Sequence, residues 1–201
     1  MLFSDTYLTI EHKANIIFKD KGSKFLAFAF PVENDAQIKD ALLQLKKEHP
    51  NANHHCYAYR LGADKLNYRA NDDGEPSNTA GKPILGQMQS NDLTNILIVV
   101  VRYFGGTLLG VSGLINAYKS SAAEVIKECN IIEKFISFNY TISFPFEHLN
   151  DVMKLLKQTD CKIIAQQFDN DCEISFSIRK ANSEACEEKL KKLNGLKLTY
   201  Q

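Results

Sequence analysis

The chain has 201 residues, enough for one large domain or two small ones, and either can bury a real core. Its 44% hydrophobic and 24% charged residues are ordinary globular values, and no run approaches the roughly 18 apolar residues of a membrane-spanning helix. Lys and Arg balance Asp and Glu at 24 each, so no global field draws the protein to nucleic acid or membrane, and any anion site must be local.

The opening Met-Leu-Phe-Ser-Asp-Thr lacks the basic start and apolar segment of a secretory signal, which places the protein in the cytoplasm. Residues 7–12 alternate as a half-buried strand, and residues 16–18 begin a second strand before a Lys-Asp-Lys-Gly turn, so the two read as a hairpin edge. Residues 25–32 are nearly all apolar and suit a central strand covered on both faces and closed by Pro31. Asn34 caps a helix, with Gln37 in the capping-box position and Ile38, Ala41, Leu42 and Leu45 forming its apolar stripe before Pro50.

Strands follow at about 53–60 and 66–69, joined by Leu-Gly-Ala-Asp. His54 and His55 are adjacent on a strand and point to opposite faces, so they do not share a metal ion, and no metal site is expected. Residues 71–83 are too rich in Asp, Gly, Pro, Ser and Asn to be a core element. Within them Asp72, Asp73 and Glu75 crowd three carboxylates together, either as a solvated turn, around a hard cation, or as acceptors for Arg102. A short helix is expected over 79–88, interrupted by Pro83 and Gly86, and then a second central strand over 95–101.

Arg102 ends that strand, where an always-charged guanidinium needs a carboxylate, an anion or water. Gly105, Gly106, Gly110 and Gly113 then lead into a helix over 112–129 with Leu114, Tyr118, Ala122, Val125 and Cys129 on one face. Strand end, glycine loop and helix start form either a composite anion cradle or a close strand-to-helix packing. Gly105 and Gly110 match the outer glycines of a nucleotide phosphate loop, but Val111 stands where lysine is required, which excludes an ATPase. Tyr103 and Phe104 are either core aromatics at a strand end or anchors for a partner.

A second unit begins near Glu133, with strands at 137–144, 161–168, 172–178 and 196–200 and helices at 147–158 and 182–193. A Phe168-Asp-Asn-Asp turn joins two of the strands. This β-α-β-β-α-β order is that of ferredoxin-like domains. The boundary falls between residues 131 and 132. Cys56, Cys129, Cys161, Cys172 and Cys186 read as reduced thiols, since no two have the spacing of zinc or redox pairs.

Asp-Asp-Gly-Glu-Pro-Ser at 72–77, Thr-Ala-Gly-Lys-Pro at 79–83, the run Val-Val-Val-Arg-Tyr-Phe-Gly-Gly-Thr-Leu-Leu-Gly at 99–110 and His55-Cys56-Tyr57-Ala58-Tyr59 resemble the IMPACT family in its bacterial, YigZ-like form. Asn78 stands where many relatives have glycine, and Asn tolerates positive φ there. The resemblance implies an α+β fold: an N-terminal ribosomal-protein-like domain, similar to domain IV of the translocation elongation factor, and a C-terminal ferredoxin-like domain. It also implies possible RNA binding, and eukaryotic relatives regulate translation by competing for the activator of a starvation-responsive kinase.

The leading expectation is a non-enzymatic module of translation or stress. It would bind RNA, the ribosome or a ribosome-associated protein around Lys82, Arg102 and the glycine loop, with phosphates positioned by Arg and backbone amides. One alternative is a small-molecule enzyme joining His55, Asp72, Asp73, Glu75, Ser77 and Arg102, with no nucleophile fixed by the motif. The other is a purely protein-binding regulator. No cofactor, no catalytic residue and no membrane partner is expected.

Overall fold

The computed structural model describes residues 5–168, 171–193 and 195–200. They form two compact units, Tyr7–Lys134 and the remainder. Together they carry several β-sheets and five α-helices.

The first unit is built on β6 (Ile96–Tyr103), whose Ile-Leu-Ile-Val-Val-Val run is fully buried. β-branched side chains suit a pleated strand, and a strand apolar at every position needs cover on both faces. β6 supplies that position by pairing antiparallel with β3 (Ser23–Pro31) on one side and β4 (His54–Leu61) on the other. β2 (Ala14–Asp20) and β5 (Asn67–Asn71) complete a sheet of order β2-β3-β6-β4-β5.

On one face Ile96, Ile98 and Val100 pack with Phe25, Ala27 and Ala29 against α2 (Gly81–Ser90) and α3 (Gly110–Lys127). On the other, Leu97, Val99 and Val101 pack against Ile38, Ala41 and Leu45 of α1 (Asp35–Glu48). Asn34 caps α1 by accepting from the Gln37 amide at 3.0 Å, as the sequence suggests.

Two expectations about this unit fail. β1 (Thr6–Ile10) does not form a hairpin with β2; it pairs with β7 (Ile131–Phe135), a strand the sequence reading lacks, while β2 pairs with β3. α2 is also uninterrupted. Pro83 is its third residue, where the missing amide has no intrahelical acceptor to lose, so the ring is tolerated.

The second unit contains β8 (Ser137–Pro145), a single 3-10 turn, α4 (Leu149–Gln158), β9 (Lys162–Phe168), β10 (Asp171–Arg179), α5 (Lys180–Leu190) and β11 (Lys197–Tyr200). Its antiparallel sheet has the order β11-β8-β10-β9. Ile142, Phe144, Ile174 and Phe176 on the sheet bury against Val152 and Leu156 of α4 and Cys186 and Leu190 of α5. The expected turn after Phe168 falls at 169–170, outside the described residues. Among the described residues no helix is long and apolar enough to cross a membrane.

Candidate functional site

Strand alternation decides which side chains can meet. His54 and Arg102 are directly opposed in the β4–β6 ladder. They share the sheet face of Cys56, Ala58 and Val100, which α2 and α3 cover. His55, Tyr57 and Tyr103 point to the α1 side.

The acidic loop is tied down by its own carboxylates. Asp72 Oδ1 accepts from the amides of Ala80 and Gly81 at 3.0 and 2.8 Å, and its Oδ2 from Asn78 at 2.8 Å. That fixes the start of α2, whose N-cap Ala80 has no side-chain acceptor of its own. Asp73 Oδ2 accepts from the His55 amide at 2.6 Å, and the Asp73 carbonyl accepts from His54 Nδ1 at 2.8 Å. The chain turns through positive φ at Asp73, Gly74 and Asn78, and Asn78 holds φ 64° as expected for this residue type.

These turns drive Glu75 inward. Its Oε1 accepts from Arg102 Nη1 at 2.6 Å and from the Tyr118 hydroxyl at 2.8 Å, and lies 3.8 Å from His54 Nε2. Arg102 is 6% exposed and lies over the rings of Phe25 and Phe104 at 5.5 and 5.8 Å. Burial first, with Cys56 and Glu75 adding to it, pushes the Tyr118 phenol far up, so it stays protonated and donates to Glu75. The Cys56 thiol, 3.3 Å from the Tyr118 hydroxyl, is likewise pushed up, chiefly by burial. Of the three candidate carboxylates, Glu75 is the partner of Arg102.

Above this floor opens a cavity of about 500 Å³ with mostly apolar walls from Pro76, Phe104, Leu108, Leu109, Val111 and Leu114. Leu108 is 84% exposed, Val111 59% and Phe104 45%. The cavity lining contains no Ser, Thr or Cys among the described residues, so His54 stands there without a hydroxyl or thiol nucleophile.

Several expected site residues lie elsewhere. His55 is buried on the α1 face, 3.9 Å from Asp73, and takes no part in the Glu75–Arg102 cluster; its near neighbour His54 does. Tyr103 lies on the α1 side, where its hydroxyl bonds His49 Nδ1 at 3.0 Å, and it lines with Phe104 and Lys24 a second cavity, separate from the one above Glu75. Ser77 and Lys82 are exposed and do not line the cavity. Gly105 is a packing residue: a Cβ there would lie 1.9 Å from the Gly22 carbonyl carbon. Gly106 and Gly110 hold φ 84° and 72° in the loop entering α3.

Glu75 holds Arg102 through Nη1, the Arg102 Nε is buried without a hydrogen-bond partner, and the walls above are mostly apolar side chains. Tyr118 and Cys56 were legible only as core residues. His54 could have been found from parity, because it is two residues from the buried Cys56 and four from the buried Ala58.

A family model described as the Impact N-terminal domain matches residues 21–126, more than half of the chain and all of this cluster. The chain belongs to the IMPACT family. An IMPACT family member of Haemophilus influenzae is 33% identical over 94% of both chains. The IMPACT family member YigZ of Escherichia coli is 32% identical over 82% of this chain and 81% of its own. Protein IMPACT of Danio rerio is 37% identical over 50% of this chain and 32% of its own. A crystal structure of a hypothetical protein superposes with a TM-score of 0.78 at 30% identity, covering 98% of this IMPACT-family chain and 97% of that one.

Proposed function

We propose that the chain is a non-enzymatic regulator linked to translation or stress, acting in the cytoplasm by binding a ribosome-associated protein at the mouth of the cavity. The observation that carries this is the contrast between floor and rim. The floor charges are committed to one another, while Phe104, Leu108 and Val111 present apolar surface to solvent. Such a rim suits a protein segment, whose apolar side chains gain by leaving water, better than a phosphate backbone.

Ribosome cosedimentation and pull-down of the wild type against Leu108→Glu test it. The expected result is retention by the wild type that survives ribonuclease treatment and is lost in the variant. No association by the wild type would overturn the reading. Leu108 is exposed enough that the charge leaves folding intact.

A second reading, direct RNA binding, is favoured by a different surface. Lys39 and Lys46 of α1 and Arg69 of β5 share one groove with the half-buried Tyr57 and Tyr59, three cations against the carboxylates of Asp35 and Asp73, a combination that suits phosphates and stacked bases. Ribonuclease-sensitive association that Lys46→Glu weakens would select it. An enzymatic role would fall to His54, with its Nδ1 fixed by the Asp73 carbonyl, and not to His55.

Within the leading reading the first unit is a ribosomal-protein-like α+β domain similar to domain IV of the elongation factor. The second is a ferredoxin-like domain, a reading supported by its strand order β11-β8-β10-β9.

A further inference from the structure

Cys161 and Cys186 are 25 residues apart in the sequence, and the structure brings both sulfurs to the hydroxyl of Thr159. α4 ends in a cap of the Schellman type: the Cys161 amide bonds the Leu156 carbonyl at 3.0 Å and the Asp160 amide the Lys157 carbonyl at 3.4 Å, with Asp160 at φ 55°. This reversal turns the Cys161 side chain back toward α5, which carries Cys186. The Thr159 hydroxyl lies between them, 3.1 Å from Cys161 Sγ and 3.7 Å from Cys186 Sγ, while bonding the Leu155 carbonyl at 2.9 Å. The two sulfurs thus sit around one hydroxyl.

Their accessibility differs. Cys186 is 1% exposed, whereas Cys161 is partly exposed and lines an open cleft with Lys154 and Lys157. A sulfur at a cleft bearing two cations is reachable by a small anionic reagent, and a second sulfur directly behind it can resolve the product.

We infer that Cys161 and Cys186 are a redox pair that closes into a reversible intramolecular disulfide on exchange with an anionic low-molecular-weight disulfide. Cys161 attacks one sulfur of the small disulfide, its proton passing to the Cys186 thiolate, and the first small thiolate leaves. That thiolate takes the proton from Cys186. The Cys186 thiolate then attacks the Cys161 sulfur of the mixed disulfide, forming the internal bond and expelling the second small thiolate. Two electrons pass from the pair to the small disulfide, which leaves as two thiols once the second thiolate is protonated by water.

Cys186 can take that proton because Cys161, followed by the nearby Thr159 hydroxyl and Lys189, brings its thiol down against the opposing effect of burial. The Cys161 thiol is pushed up, first by Cys186.

The test is to equilibrate the reduced full chain with glutathione buffers of increasing oxidised fraction near neutral pH, quench in acid, and read intact mass and a peptide map. The expected product has lost two hydrogens, carries no glutathione, retains three of its five thiols and links Cys161 to Cys186. Cys186→Ser should stop at the glutathione adduct on Cys161, Cys161→Ser should form no internal bond, and Cys129→Ser should close like the wild type. Circular dichroism of each variant confirms that it is folded. Five thiols retained in the most oxidising buffer, a wild-type chain that stops at the adduct, or a link between other cysteines would each overturn the proposal.

Discussion

Glu75 accepts from a guanidinium and a phenol, all three with little contact with water, and lies beside the partly exposed imidazole of His54. Replacing it with Gln keeps the shape but leaves Arg102 buried without a counter-ion. Breaking one partner of a buried pair typically costs about 3 kcal/mol, so Glu75→Gln should lower stability by roughly that amount in urea denaturation. The double variant Glu75→Gln with Arg102→Met should lose less than the two single losses summed, because the stranded charge is gone.

His55 offers a test of sign. Burial first lowers its pKa below the ordinary 6.5, outweighing Asp73, so the folded state resists the proton. Its contribution is therefore complete above the unfolded value and lost as pH falls from about 6.5 through the lowered folded value. Stability measured over that window should rise with pH, and His55→Gln should flatten the slope; an unchanged slope would assign the effect to another group.

At the scale of elements, α2 depends on a residue outside it. Asp72→Ala removes three acceptor contacts from the loop and the first turn of α2, and should cost about 1–2 kcal/mol, the upper range of lost helix caps. Hydrogen exchange localised to 78–84 would distinguish this from global loosening.

The loop itself was legible in the sequence from its turn residues, and the need of Arg102 for a counter-charge narrowed the choice to three carboxylates. Which carboxylate, and which histidine, depended on how the β4 and β6 ladders register and where the loop closes; local residue patterns do not carry that. β7 was missed for a similar reason. Its partner β1 lies at the other end of the first unit's sequence, and its five residues alternate too weakly to stand out. The long apolar strands and amphipathic helices, by contrast, were legible because 3.6- and two-residue periodicities are local.

On the scale of the whole molecule, each unit has its own hydrophobic core. The first unit holds the larger one, with every β6 residue from Ile96 to Val101 fully buried. Unfolding should therefore depart from a single two-state transition: amides of β8 and β10 should exchange at lower denaturant than those of β6. Equal protection across both sheets would show that the units unfold as one.

The Glu75 cluster also bears on how the chain is made. Glu75 leaves a ribosome 27 residues ahead of Arg102 and 43 ahead of Tyr118, and β3, already able to pair with β2, must wait for β6 on its other side. Until β6 is synthesised, the carboxylate lacks Arg102 and the sheet lacks its middle strand, and Tyr118 follows only with α3. The nascent first unit is thus obliged to complete late and nearly at once, exposing β3 and β4 during synthesis in a way that the finished molecule gives no sign of.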